Sequence, residues 1–158
     1  FEFTNCEAFY NGQKLPFMQP LSEWVKIFGP YDTRKNHFFT WHNIPMDVAI
    51  KDYQDSLVVQ MSMQFGKNTL DDNDSLNKFK GSILINNLPF WKGVVIEKFN
   101  SQLKKDPSIP VFLPSSYTKF NRASICADSL ILVQTITLEF SDRSNIKRFD
   151  MWVRYQLD

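Results

Sequence analysis

Two stretches of this chain share one local pattern, and that pattern constrains the fold more than any other feature. Asn11-Gly12 is followed by Leu15-Pro16-Phe17, and Asn86-Asn87 by Leu88-Pro89-Phe90. In each case a β-prone run precedes the Asn, residues 8–10 in one and 83–85 in the other. Asn-Gly and Asn-Asn tolerate the positive φ that a tight two-residue turn demands, so both stretches are expected to be β-hairpins.

A helix pattern follows each hairpin. Leu21, Trp24, Val25 and Phe28 fall at i, i+3, i+4 and i+7, one buried face of a helix. Ser22 is the expected N-cap, Glu23 suits the positive end of the dipole, Gly29 fits a left-handed C-terminal position and Pro30 stops the helix. After the second hairpin, Trp91, Val95, Phe99 and Leu103 recur four apart. Lys104 and Lys105 sit at that helix's end, and Asp106-Pro107 closes it.

Period-two alternation marks the strands beyond each helix. Phe39 and Trp41, then Met46, Val48 and Ile50, then Val59, Met61, Met63 and Phe65 alternate with other residues. Ile136, Leu138 and Phe140 are the expected counterparts of Met61, Met63 and Phe65. In a last strand over 148–157, Phe149, Met151, Val153 and Tyr155 share one face, and Trp152, Arg154 and Gln156 the other. Such alternation implies antiparallel strands with one wet face.

The expected fold class is therefore α+β: two pseudo-repeated β-β-α-β-β units, mainly antiparallel sheet, with one helix per unit. The units span 1–66 and 79–158, joined by a polar connector at 67–78. Each half is marginal alone, whereas 158 residues together bury about 70% of the surface of the unfolded chain. A single domain over 1–158 is the expectation.

Charge narrows the partner classes. The net charge of +1 lacks the basic excess of a general nucleic-acid binder. It conceals an asymmetry: residues 1–75 carry 10 acids and 6 bases, and residues 76–158 carry 7 acids and 12 bases. Such a split steers a charged partner toward one end. Basic and aromatic residues interleave around Tyr117, Lys119, Phe120 and Arg122, but the aromatic residues are expected to be mostly core. Trp152 is the exception, either covered or exposed for binding. No apolar run approaches a membrane span, so no membrane insertion is expected. Cys6 and Cys126 are either two thiols or one bridge. With no signal peptide visible, the expected compartment is the cytoplasm, or the periplasm if a leader was trimmed before Phe1.

The constellations of catalysis are missing. No nucleophile elbow, zinc-protease motif, phosphate loop or dinucleotide fingerprint occurs. His37 and His42, five apart, would point to opposite faces of one strand. Asp71-Asp72-Asn73-Asp74 resembles the start of a calcium loop, but Leu76 and Ser82 stand where Gly and Glu are needed. Asp47, Asp52 and Asp55 around Tyr53 read as a hairpin tip. A non-enzyme with no cofactor and no metal is expected.

The string Asn11-Gly12, Leu15-Pro16, Leu21-Ser22-Glu23-Trp24, Phe28-Gly29-Pro30-Tyr31-Asp32, Thr40-Trp41 and Ile44 resembles a family of small bacterial immunity proteins. These are encoded beside antibacterial toxins of secretion-system or polymorphic type. The resemblance covers residues 8–65, and His42 departs from the acidic residue that commonly follows the Trp in that family. It implies an immunity protein that binds a cognate toxin stoichiometrically and occludes it. The expected contacts lie in the acidic half: Tyr31, Asp32, Trp41, His42, Asp52, Tyr53 and Asp55, then Asp71, Asp72 and Asp74. The alternatives are an envelope or assembly accessory protein and a small-ligand-binding domain.

Overall fold

A computed structural model describes residues 1–51, 56–65, 79–116, 118–126, 132–142 and 145–155. The expected contacts Asp52, Tyr53, Asp55, Asp71, Asp72 and Asp74, and the connector at 67–78, lie outside the described residues.

The chain opens with β1 (Glu2–Phe3), then a hairpin of β2 (Ala8–Tyr10) and β3 (Gln13–Lys14), then helix α1 (Leu21–Phe28). Four strands follow: β4 (Thr33–Lys35), β5 (Phe38–Trp41), β6 (Met46–Ile50) and β7 (Val58–Gln64). A second hairpin, β8 (Ile83–Ile85) and β9 (Leu88–Phe90), leads to α2 (Ile96–Leu103). Four more strands complete the run: β10 (Leu113–Pro114), β11 (Lys119–Cys126), β12 (Leu132–Asp142) and β13 (Asn145–Tyr155). The fold is mixed α+β. Each hairpin–helix segment is followed by four strands, where the expected units had two.

Both hairpins join one five-stranded sheet, ordered β3-β2-β1-β8-β9. It is antiparallel except where β1 runs parallel to β8. The turns are those the sequence demands: Asn11 and Gly12 take φ of 50° and 78°, and Asn86 and Asn87 take 49° and 63°. The remaining strands form an antiparallel eight-stranded sheet, ordered β10-β11-β12-β13-β7-β6-β5-β4. Each set of four strands is thus a meander, and the two meanders meet where their last strands, β7 and β13, pair.

Ser62 faces Asp150 in the middle of that pairing. The strand equivalent to β7 by chain order is therefore β13. Ile136, Leu138 and Phe140, the expected counterparts of Met61, Met63 and Phe65, lie on β12, one strand earlier in that order. A second backbone detail recurs: Val58 N–H donates to Gln19 O at 3.0 Å, and Ile146 N–H donates to Lys92 O at 2.9 Å.

The strand alternation slips at bulges: the β12–β13 pairing shifts between Glu139 and Phe140 and between Phe140 and Asp142, and the β6–β7 pairing shifts once. A register shift between Ala49 and Ile50 pairs Ile50 with Val58 and Ala49 with Gln60. The extra residue, Val59, is displaced, and Val58 is buried where Val59 was expected. Helix α1 starts at Leu21, with Pro20 at its N-cap and no side-chain cap bond, so Ser22 lies inside the helix. Gly29 ends it with φ of 76° and donates its N–H to Val25 O. Helix α2 starts only at Ile96, because Val95 is extended at the N-cap. Trp91 and Val95 therefore fall outside the helix, 49% and 46% exposed, and the buried stripe is Ile96, Phe99 and Leu103.

The core fills the space between the sheets and helices. Eight of the 15 Phe residues are buried. Phe3 of the small sheet meets Phe149 of the large one, ring centres 4.7 Å apart. Trp24 is wholly buried and donates its indole N–H to Pro16 O at 3.0 Å. Cys6, in the turn between β1 and β2, forms a disulfide with Cys126 at the end of β11, with Cα atoms 5.5 Å apart. That choice, left open by the sequence, ties the two sheets together. Among the described residues no helix is long and apolar enough to cross a membrane.

Candidate partner-binding surface

The free edge of the large sheet at β4 is the first candidate surface. Thr33, Arg34 and Lys35 are all exposed there. Aromatic packing makes this edge rigid. Trp41 is only 3% exposed and donates its indole N–H to Gly29 O at 2.9 Å, locking β5 to the end of α1. Phe28 and Trp41 rings pack 5.9 Å apart. Tyr31 stands edge-on to Phe39 at 4.9 Å and to Trp41 at 6.2 Å, and stays exposed. The Arg34 guanidinium lies 5.3 Å from the Phe39 ring centre.

Asp32 is held in place by two bonds to the neighbouring strand. Its backbone N–H donates to Thr40 O at 2.8 Å, and its carboxylate accepts the His42 backbone N–H at 2.6 Å. The structure thus brings Tyr31, Asp32, Trp41 and His42 together at one corner. It corrects the expected role of Trp41: burial takes this ring off the surface and makes it the support beneath Tyr31. His37 and His42 flank β5 instead of sharing it. The corner is not strongly acidic among the described residues, since Asp32 and Asp47 are matched by Arg34 and Lys35, and the Thr40 hydroxyl donates to Asp47.

Two further surfaces escaped the sequence. Trp91 and Val95 border an apolar groove of about 270 Å³ with Leu88, Pro89 and Phe99. Their four-residue spacing predicts helix core, and the late start of α2 exposes them. A more polar cleft of about 600 Å³ adjoins the disulfide, lined by Thr4, Asn5, Cys6, Asn86 and Asp106 among others. Its charges are largely committed. Lys14 pairs with Glu7 at 2.6 Å. The Ser108 hydroxyl and then the Ser108 backbone N–H hold the Asp106 carboxyl below its ordinary range.

Where β7 meets β13, Ser62 donates to Asp150, and Arg148 Nε donates to the same carboxylate at 2.9 Å. The Gln60 side-chain amide reaches Ser62 at 3.0 Å. This network fixes the junction of the meanders and neutralises Asp150. Trp152, two residues on, is 45% exposed on the same strand face, which answers whether it is covered. No group of three or more His, Cys, Asp or Glu suited to a metal occurs among the described residues.

The family model described as "Domain of unknown function (DUF7738)" matches residues 1–100. The chain belongs to the DUF7738 family. That match takes in both hairpins, α1, β4–β7 and the first residues of α2. No curated protein matches the chain, and no solved structure does. In this DUF7738 protein the Tyr31–Asp32 corner, Trp91, Val95 and Cys6 fall inside the matched residues, whereas Cys126 and Trp152 fall beyond them.

Proposed function

We propose that this protein is a non-catalytic immunity protein that binds one bacterial toxin molecule and occludes its active site or substrate entry. The observation that carries the reading is the Tyr31–Asp32 corner. Occlusion needs a preformed surface with an aromatic anchor, because ordering a loose one on binding costs affinity. Tyr31 is such an anchor, resting on the buried rings of Phe39 and Trp41. Asp32 and His42 frame it, and Asp52, Tyr53, Asp55, Asp71, Asp72 and Asp74 are the further contacts of this proposal. A nuclease toxin with a basic cleft suits those acids.

The Cys6–Cys126 disulfide supports an oxidising compartment such as the periplasm over the cytoplasm, and there a lipase or cell-wall enzyme replaces the nuclease as the toxin. The disulfide equally favours the second reading, an envelope accessory protein. We also infer that the two halves descend from one duplicated hairpin–helix–meander unit. The shared element order, the recurring Val58 and Ile146 backbone bonds and the central Ser62–Asp150 pair support this. Superposing the halves should place Ser62 on Asp150, and a best fit one strand out of step ends the idea.

Co-expression with the neighbouring upstream open reading frame tests the immunity reading. The expected result is a toxic product, rescued and co-purified by this chain. A harmless product, or one that is not rescued, overturns it. With the complex in hand, Tyr31→Ala should weaken binding by about tenfold or more. Unchanged affinity after Tyr31→Ala and after charge reversal at Asp52 and Asp55 moves the contact to another face.

A further inference from the structure

We propose that the Cys6–Cys126 disulfide latches the 4–7 turn over an oxyanion site formed by Arg122, Ser124 and Gln134, and that a dithiol reductant opens it. Arg122, Ser124 and Cys126 alternate along β11 and so share one face, and Gln134 of β12 lies directly opposite Ser124. The 4–7 turn, which joins β1 to β2, sits on this group. Arg122 Nη2 donates to Thr4 O at 3.1 Å. The Gln134 amide, with its nitrogen toward the turn, donates to Thr4 O and Asn5 O at 2.9 Å each. Two main-chain carbonyl oxygens therefore occupy the place of an anion above three donor side chains.

The closed arrangement leaves the site under-satisfied. Arg122 is 1% exposed, yet among the described residues its Nε and Nη1 have no acceptor, and the Ser124 hydroxyl has no partner. No carboxylate among the described residues pairs with this guanidinium; besides the Thr4 carbonyl it has the face of Phe112, 5.5 Å from its central carbon. Burial pulls its pKa down to about 10. A buried cation held by one carbonyl bond favours any state that returns it to water or supplies an anion. The disulfide opposes that opening, and Cys6 is exposed beside the open cleft, within reach of a reductant. In the exchange, the dithiol gives two electrons and two protons, closing to its own disulfide while Cys6 and Cys126 become thiols.

The test uses the full chain with dithiothreitol and inorganic phosphate. On reduction, amide exchange at Glu7, whose N–H is bonded to the Thr4 hydroxyl, should rise at least about tenfold. The β7–β13 amides should stay protected, and calorimetry should detect phosphate binding only in the reduced protein. Arg122→Met, which removes the buried charge and is expected to fold, should keep the turn protected after reduction and abolish phosphate binding. The proposal is overturned if the reduced turn stays protected or if phosphate binds both redox forms alike. It also fails if Arg122→Met behaves as wild type. Loss of β7–β13 protection on reduction overturns it too, since the disulfide is then a staple and not a latch.

Discussion

The two hairpin–helix junctions start from the same Leu-Pro-Phe motif and end in opposite environments. After the first hairpin, a returning chain covers the junction. Met18 N–H donates to Val58 O, Leu21 N–H donates to Ser56 O, and Phe17 packs edge-on against Trp24 at 5.0 Å. After the second hairpin the Ile146–Lys92 bond is the one that recurs among the described residues, and Trp91 and Val95 are about half exposed. An equal motif therefore fixes a turn and a direction, but the neighbouring strand decides whether the next aromatic is core or surface.

The largest expected effect sets the two tryptophans against each other. Trp24→Ala removes a wholly buried indole and should cost about 3–5 kcal/mol in urea unfolding. Trp91→Ala should cost less than about 1 kcal/mol. Comparable losses would mean that the second junction is covered after all. The hairpin turns come next. Asn11→Ala strains a positive φ and should cost about 1 kcal/mol. Asn86→Ala should cost about 1 kcal/mol more, because its side-chain amide also donates to Asn5 Oδ1 at 3.0 Å. Equal melting shifts for the two variants would show that this contact contributes nothing. The smallest contrast lies at the helix ends. Gly29→Ala forces φ of 76° on a residue with a Cβ and should cost about 1 kcal/mol, although a Cβ there meets nothing within 4 Å. Lys104, which ends α2 in a right-handed conformation, should tolerate Ala within about 0.5 kcal/mol.

The legible part of the fold was local. The Asn-led turns, the Gly29 stop, and the strands carrying Met61, Ile136 and Phe149 follow from φ preferences and side-chain period, which act within a few residues. Errors arose where a neighbour changed the register or the start of an element. The bulge at Ala49 moved Val58 inward, and the extended Val95 delayed α2. At the candidate corner Tyr31 and Asp32 are exposed, whereas Trp41, expected at the surface with them, is buried. Burial depends on what packs above a residue, and α1 supplies that cover from elsewhere in the chain.

The sequence by itself determined two hairpins, two helices and a set of alternating strands, because each rests on short-range sterics and on the apolar period. Only the tertiary structure decided that β7 meets β13, that Cys6 finds Cys126, and that Arg122 is sealed beneath a turn. Those outcomes join residues more than 80 positions apart. Their energies come from surfaces that exist only once both sheets have formed, so no local pattern in the chain encodes them.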